Sequence, residues 1–170
     1  DAHLLNQQGI TRLCYAGSVV RTKPDGLAQT REPLQLGAEL YGHAGVASDI
    51  EIQRLLILAL QAMGVNQVHM DFSHVDIFGS LIAASSVDPQ LEQDLYAALQ
   101  SKDQSSVASL TQCLDKPTRE ALLQLTELNG DQAILQKAAK VLPAMPAIKA
   151  ALASLTAVSQ ALADLDVSLS

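Results

Sequence analysis

Tryptophan is absent from this 170-residue sequence, and the aromatic residues together make up only 3% of it. The core must therefore be built mainly from aliphatic side chains. Cysteine is scarce as well, and the distance between Cys14 and Cys113 predicts reduced thiols and no disulfide framework. No apolar run approaches the roughly 18 residues of a membrane span, and no basic-then-apolar leader opens the chain. These absences favour a cytoplasmic protein.

Positive charge is also limited. The chain carries 11 Lys and Arg against 18 Asp and Glu, a formal charge of −7. Nucleic acids and anionic membrane surfaces attract clustered cations, so neither is expected as the main partner. What the sequence does have is apolar residues, at 48%, with 17% charged residues. That balance predicts a folded domain with a sizeable core.

The first part of the chain predicts a long β-hairpin. Residues 12–21 and 31–42 have strand character, and Pro24, Asp25 and Gly26 indicate a turn in the loop between them. Residues of alternate parity fall on opposite faces of a strand. In the second strand Leu34, Leu36, Ala38 and Leu40 share one face, and Gln35, Gly37, Glu39 and Tyr41 share the other.

A helix and a strand are predicted next. Ser48 and Glu51 have the spacing of a capping box, and Gly64 suits the end of a helix over residues 48–63. This helix is apolar almost all round, which predicts burial on several sides, with a partner-facing surface as the alternative. Residues 65–73 alternate apolar and polar side chains and predict a strand.

Residues 75–165 are rich in Leu and Ala and predict a module of four to six short helices. Asp88-Pro89 and Asp115-Lys-Pro117 favour helix starts, and Asn129-Gly130-Asp131 and the later prolines favour breaks. Strand character returns at Val167. We therefore divide the chain into a core portion over residues 1–74, a helical insertion over 75–165 and a returning strand over 166–170. Both ends look cut, so a fragment of a larger domain is expected.

Motifs for catalysis are not found. The sequence contains no Gly-rich phosphate loop, Ser-His-Asp pattern or zinc spacing. His69, Asp71 and His74 could suggest a metal site, but structural roles are the stronger interpretation. Cys14, between Leu13 and Tyr15, is expected to be a buried small hydrophobe rather than a nucleophile. No catalytic residue, metal or cofactor is predicted.

The hairpin carries a resemblance. Val20-Arg21, a nine-residue gap, and Arg31-Glu-Pro-Leu-Gln-Leu-Gly-Ala-Glu39-Leu-Tyr-Gly42 resemble motif 2 of the class II histidyl-tRNA synthetases. That motif reads Phe-Arg-x-Glu, a loop, then Arg-(Glu/Gln)-Phe-x-Gln-x-(Gly/Asp)-x-Glu. Arg12-Leu-Cys-Tyr-Ala-Gly, His74-Val-Asp-Ile-Phe and the helical insertion are similar to a non-synthetase relative, the ATP phosphoribosyltransferase regulatory subunits of histidine biosynthesis. The resemblance implies an α+β fold, a class II synthetase-like antiparallel sheet with flanking helices and a helical insertion.

Departures from the motif separate the two families. Arg21 matches the motif arginine that binds the α-phosphate of ATP in the synthetases. Lys23 stands where the motif has an acid, Pro33 where it has the aromatic that stacks on adenine, and Gln29 near the expected loop cation. Proline has no π-face, and losing these contacts together should disable adenylate formation. Arg21 and Arg31 are then either a phosphate-binding remnant or a solvated pair.

The resemblance also implies that the amino-acid pocket remains. Gln35 and Glu39 match the synthetase positions that hold histidine, so the family implies a retained histidine pocket without the chemistry. The function implied is a regulatory subunit that activates a short catalytic ATP phosphoribosyltransferase subunit and senses L-histidine. A homodimer within a hetero-oligomer is expected. Two alternatives stay open: a divergent histidyl-tRNA synthetase fragment, and a pure assembly scaffold with a relic pocket.

Overall fold

A computed structural model of the chain describes residues 8–22, 30–85, 87–165 and 167–169. The chain divides into two compact units, one ending at Ala59 and the other starting at Leu60. The predicted turn at Pro24–Gly26 and the departures at Lys23 and Gln29 lie outside the described residues. The boundary at residue 75 between a core portion and an insertion stays a prediction.

The first unit contains the predicted hairpin. Strands β1 (Thr11–Ser18) and β2 (Leu34–Tyr41) pair antiparallel, with Thr11 opposite Tyr41 and Ser18 opposite Leu34. Beyond β1, the N–H of Val19 donates to the carbonyl of Pro33 at 3.0 Å. Proline can accept in a ladder although it cannot donate, so the pairing continues toward the loop. The hairpin is confirmed, with strands shorter at the loop end than predicted.

Helix α1 (Val46–Ala62) follows, and the predicted capping box is wrong. The helix begins two residues before Ser48, whose hydroxyl lies 2.6 Å from Nδ1 of His43. Glu51 is bound by Arg12 of β1, which donates from Nε to one carboxylate oxygen and from Nη2 to the other at 2.8 Å. The acid thus binds a strand instead of its own helix terminus. This bidentate pair fixes α1 to the first strand.

Exposure along α1 also differs from the prediction. Of its described residues only Ile57 is buried, while Leu55, Leu56 and Leu58 are each about half exposed. The expectation of burial on several sides is wrong for the first unit, because it supplies too little packing surface for a helix that is apolar all round. Cys14 is likewise exposed rather than buried.

The predicted cap at the end of α1 is confirmed. Gly64 has φ +85° and its N–H donates to the carbonyl of Gln61, while the N–H of Val65 donates to that of Leu60. These two bonds form a Schellman motif, in which glycine adopts the left-handed conformation without strain.

The second unit opens and closes with a parallel strand pair. Strands β3 (Val68–Met70) and β4 (Val167–Leu169) pair with Val68 opposite Val167. The strand predicted over residues 65–73 is therefore too long, and the predicted antiparallel sheet has a parallel pair here. Parallel neighbours need a crossover connection, and the helical segment between β3 and β4 is that crossover.

In the part of this connection that the structure describes there are six helices, in agreement with the predicted module of four to six. They are α2 (Val75–Ala83), α3 (Pro89–Gln100), α4 (Gln104–Leu110), α5 (Lys116–Leu125), α6 (Ala133–Val141) and α7 (Pro146–Leu162).

Aspartates cap three of these helices. Asp88 accepts from the N–H groups of Gln90 and Leu91, both at 3.0 Å, ahead of Pro89 at the first helical position. Asp115 accepts from Thr118 in the same way. Asp103, which caps α4, receives hydrogen bonds from the hydroxyls and backbone N–H groups of Ser106 and Ser105, which lower its pKa to about 2. The caps read from Asp88 and Asp115 are confirmed, and they satisfy otherwise unpaired helix N–H groups.

An aliphatic core joins the helices, as the low aromatic content predicts. Its most buried residues come from α2 to α7 and include Leu81, Leu95, Val107, Leu122 and Ile148. Among the described residues, no helix is both long and apolar enough to cross a membrane.

We expect Leu122→Ala to destabilise the second unit by about 2–5 kcal/mol, because Leu122 is fully buried and its removal leaves a cavity. Denaturant unfolding measures this loss. Val75→Ala, at a residue 72% exposed on α2, is the control and should stay within about 0.5 kcal/mol. Equal losses in the two variants would contradict the described core.

Asp103 predicts an acid dependence of stability. Its pKa falls from 3.8 unfolded to about 2 folded, so its stabilising contribution is complete above pH 3.8 and is lost as pH falls through about 2. Asn is also a good N-cap but cannot ionise. Asp103→Asn should therefore lower the melting temperature at pH 6 and show a shallower acid decline than the parent. Glu92→Gln, in the first turn of α3, is the control, and a parent-like acid decline in Asp103→Asn would disprove the role.

Candidate functional site

The strand register places four polar side chains on one face of the hairpin. Gln35 lies opposite Gly17, Gly37 opposite Tyr15, and Glu39 opposite Leu13. Directly opposed residues of an antiparallel pair point to the same side of the sheet. Tyr15 therefore lies between Gln35 and Glu39, and Tyr41 follows Glu39 on the same side by the period of two. We call Tyr15, Gln35, Glu39 and Tyr41 the polar face.

Tyr15 holds Gln35. The amide Nε2 of Gln35 donates to the phenol oxygen of Tyr15 at 2.8 Å. The ring lies across Gly37, where an added Cβ would meet the Tyr15 Cζ at 2.2 Å. Any side chain at position 37 would displace the ring, so glycine is required for this arrangement.

Tyr41 holds Glu39. The Tyr41 hydroxyl donates to Oε2 of Glu39, and this hydrogen bond, followed by the charge of the carboxylate, raises the pKa of Tyr41 above its ordinary value. Among the described residues, Oε1 of Glu39 has no hydrogen-bond partner. The carboxylate thus keeps one oxygen for an incoming donor.

This arrangement suits a small cationic or N–H-bearing ligand. Glu39 offers a carboxylate oxygen, and the Gln35 side chain retains its carbonyl as a second acceptor. Their backbone positions are roughly 14 Å apart along the strand, with the Tyr15 ring between them. A charge-assisted hydrogen bond to an ammonium or protonated imidazole contributes about 1.5–3 kcal/mol.

Arg21 and Arg31 are not brought to the polar face. The N–H of Arg21 donates to the carbonyl of Arg31 at 2.9 Å, and Nε of Arg31 returns toward the carbonyl of Arg21 at 3.4 Å. Arg31 precedes Glu39 by eight residues, roughly 27 Å along an extended strand. The arginines therefore lie at the loop end of the hairpin, where the Arg31 side chain hydrogen-bonds to the backbone.

The histidines have local structural partners. His69 Nε2 lies 3.1 Å from Oδ1 of Asp71, and His74 Nδ1 accepts from the N–H of Asp76 as the cap of α2. Within residues 8–22, 30–85, 87–165 and 167–169, no three His, Cys, Asp or Glu side chains cluster closely enough to hold a metal ion.

Sequence reasoning named Gln35 and Glu39 as candidate site residues but named neither tyrosine as one. The period of two already put Tyr41 beside Glu39, and that signal was available. Tyr15 required the register across the loop, which no local pattern specifies.

Comparison with known proteins supplies the family. The family model described as histidyl-tRNA synthetase matches residues 1–170. A protein of Methylobacillus flagellatus named ATP phosphoribosyltransferase regulatory subunit is 59% identical over 98% of this chain and 43% of its own length. One of the same name from Nitrosomonas eutropha is 52% identical over 95% of this chain and 43% of its own length.

A solved structure agrees with these matches. The crystal structure titled an ATP phosphoribosyltransferase regulatory subunit/histidyl-tRNA synthetase, from Bacillus halodurans C, aligns with a TM-score of 0.79 at 25% identity. It covers 94% of this chain and 42% of the other chain. The chain thus spans less than half the length of the relatives it matches, and its α+β fold is that of a class II synthetase-like fragment. Because the family model matches the chain over its whole length, this chain belongs to the histidyl-tRNA synthetase family.

Proposed function

We propose that the chain is part of a non-catalytic, cytoplasmic regulatory subunit that activates a short-form ATP phosphoribosyltransferase and senses L-histidine. The observation that carries the proposal is the polar face, where Gln35 and Glu39 share one side of β2 with Tyr15 between them. The relatives named ATP phosphoribosyltransferase regulatory subunit support the regulatory part.

The chemistry of histidine fits the acceptors of this face. The amino acid carries an ammonium group and an imidazole with N–H donors, and the open Glu39 oxygen and the Gln35 carbonyl are acceptors. Tyr15 adds an aromatic surface between them, and a cationic imidazole over such a ring gains further attraction.

The loop end of the hairpin, where Pro33 and Arg31 lie, supports the proposed loss of synthetase chemistry. Pro33 takes the place of the stacking aromatic, and its carbonyl accepts a backbone hydrogen bond from Val19. Arg31 donates to the carbonyl of Arg21 at the same end. Proline offers no π-face for adenine at this position, and this departure supports the non-catalytic part of the proposal.

Feedback by histidine then follows from linkage. If histidine binds the inactive complex more tightly than the active complex, it shifts the population toward the inactive one by that ratio. The proposed assembly is a homodimer of this subunit within a hetero-oligomer with the catalytic chain.

Calorimetric titration of L-histidine into the full-length protein tests the site. We expect saturable binding in the parent and a dissociation constant at least tenfold weaker in Glu39→Gln, since one charge-assisted bond contributes about 1.5–3 kcal/mol. Glu32→Gln, on the same hairpin, is the matched control and should bind like the parent. Equal binding by Glu39→Gln and the parent would remove the polar face as the histidine site.

Reconstitution with the catalytic subunit tests the role. Glu39→Gln should assemble and activate phosphoribosyl transfer like the parent but need at least tenfold more histidine for inhibition. An unchanged histidine response in this variant favours a scaffold whose pocket is a relic. Histidine-dependent ATP–pyrophosphate exchange by the full-length protein alone would instead establish a synthetase and overturn the non-catalytic proposal.

A further inference from the structure

The second unit contains a cavity of about 490 Å³ that shares no residue with the polar face. Its lining comes from the start of α2, the end of α3, the α5–α6 connection, α6 and α7. Ligand sites of proteins commonly have volumes of roughly 300–1,000 Å³. The space is therefore adequate for one small molecule.

The cavity is apolar in its depth and aromatic toward its exposed end. Its buried lining residues are Ala138, Leu142, Leu152 and Ser159. Farther out, the rings of Phe78 and Tyr96 pack at a centroid distance of 5.7 Å with planes inclined by 54°. An aromatic ring in this space would contact aliphatic and aromatic side chains, and the burial of its apolar surface favours binding.

Ser159 places a hydroxyl in this apolar depth. It follows Leu152 and Leu155 on α7 at the spacing i, i+3 and i+7, which puts the three side chains on one face of the helix. All three residues line the cavity, and Ser159 is only 5% exposed. Its side chain therefore faces the cavity from the buried side.

The Ser159 hydroxyl is unpaired, unlike the other buried hydroxyls that the structure describes. Thr111 and Thr126 each donate to a carbonyl of the preceding helical turn, at 2.6 and 2.8 Å. Thr118 accepts from the hydroxyl of Ser85 at 3.2 Å. Ser159 has no such partner among the described residues. Buried polar groups are normally paired, so a ligand atom that donates to this hydroxyl or accepts from it would be favoured.

The charged side chains of the described lining stay at the mouth of the cavity. Asp71, Lys102 and Asp131 are all exposed, whereas Ser159 is buried. Water and salt screen exposed charges, and an ionic ligand group beside the Ser159 hydroxyl would lose its hydration without gaining a counter-ion. The ligand group at this depth is therefore uncharged.

We propose that this cavity binds a small uncharged aromatic molecule that carries a hydroxyl group. The ring occupies the apolar space between Phe78 and Leu155, and the ligand hydroxyl pairs with that of Ser159. A hydroxyl suits this partner because each of the two groups can both donate and accept. The helical module thus has a ligand site of its own, in addition to the site proposed on the hairpin.

Titration of 3-phenylpropan-1-ol into the full-length protein, followed by ligand-observed NMR and calorimetry, tests the proposal. We expect saturable binding of one molar equivalent. Ser159→Ala should weaken binding of this alcohol about three- to tenfold, the loss expected for one neutral hydrogen bond. The same variant should not weaken binding of propylbenzene, which has the ring and chain but lacks the hydroxyl.

The stability of Ser159→Ala separates loss of binding from loss of folding. Because the substitution removes an unpaired hydroxyl from a buried position and alanine is a strong helix former, the melting temperature should equal or exceed that of the parent. Ser154→Ala is the matched control, since it removes a hydroxyl from the same helix at a residue that does not line the cavity. It should bind the alcohol like the parent.

Charged analogues of the probe test where its polar group lies. The anion 3-phenylpropanoate and the cation 3-phenylpropylamine should each bind about tenfold more weakly than the alcohol, because the depth of the cavity offers neither a counter-ion. An analogue that binds as tightly as the alcohol would overturn the proposal, since its charge would then lie at the exposed mouth. Absence of saturable binding at millimolar alcohol, or equal binding of the alcohol by the parent and Ser159→Ala, would also overturn it.

Discussion

The pairing register between β1 and β2 is the constraint on which the hairpin site depends. Because side chains alternate along a strand, a slip of one residue would move Tyr15 to the other side of the sheet from Gln35 and Glu39. In the observed register the Tyr15 ring occupies the space that Gly37 leaves open. The Arg12–Glu51 pair lies on the opposite side, since Arg12 is opposite Leu40.

Both proposed ligand-binding side chains are ordered by a tyrosine before any ligand arrives. Gln35 is bound to Tyr15 and Glu39 to Tyr41. Long polar side chains lose rotamer freedom when a ligand immobilises them, at about 0.5–1.5 kcal/mol each. Side chains already held in place lose less, so more of the contact energy is kept as affinity. In the proposed histidine site, the tyrosines therefore favour binding by ordering Gln35 and Glu39 as well as by offering their own surface.

Local patterns predicted the parts of the fold that have local causes. Alternation over residues 34–41 gave the two faces of β2, and Asp88-Pro89 gave the start of α3. The capping box failed because Glu51 has a more favourable partner in Arg12, 39 residues earlier in the chain. The parallel pairing of β3 with β4 was missed for the same kind of reason, since about 100 residues separate the strands.

The candidate site, too, could be predicted only where local sequence patterns determine it. Gln35 and Glu39 could be named because a motif resemblance pointed to them and the period of two put them together. Tyr15 could not be named, because the residue it faces on β2 depends on the length of the loop between the two strands. The apolar sequence of α1 indicated burial, but sequence composition does not say whether the covering surface belongs to the same unit.

The two-stranded ribbon of the first unit has a consequence for handling the protein. In the described part of that unit, β1 and β2 pair only with each other, so their outer edges present unpaired N–H and carbonyl groups. Leu34 and Leu36 are also 71% and 66% exposed. Open edges beside apolar side chains are templates for strand addition between molecules. This stretch in isolation therefore favours self-association as its concentration rises, and charged substitutions at Leu34 or Leu36 oppose it.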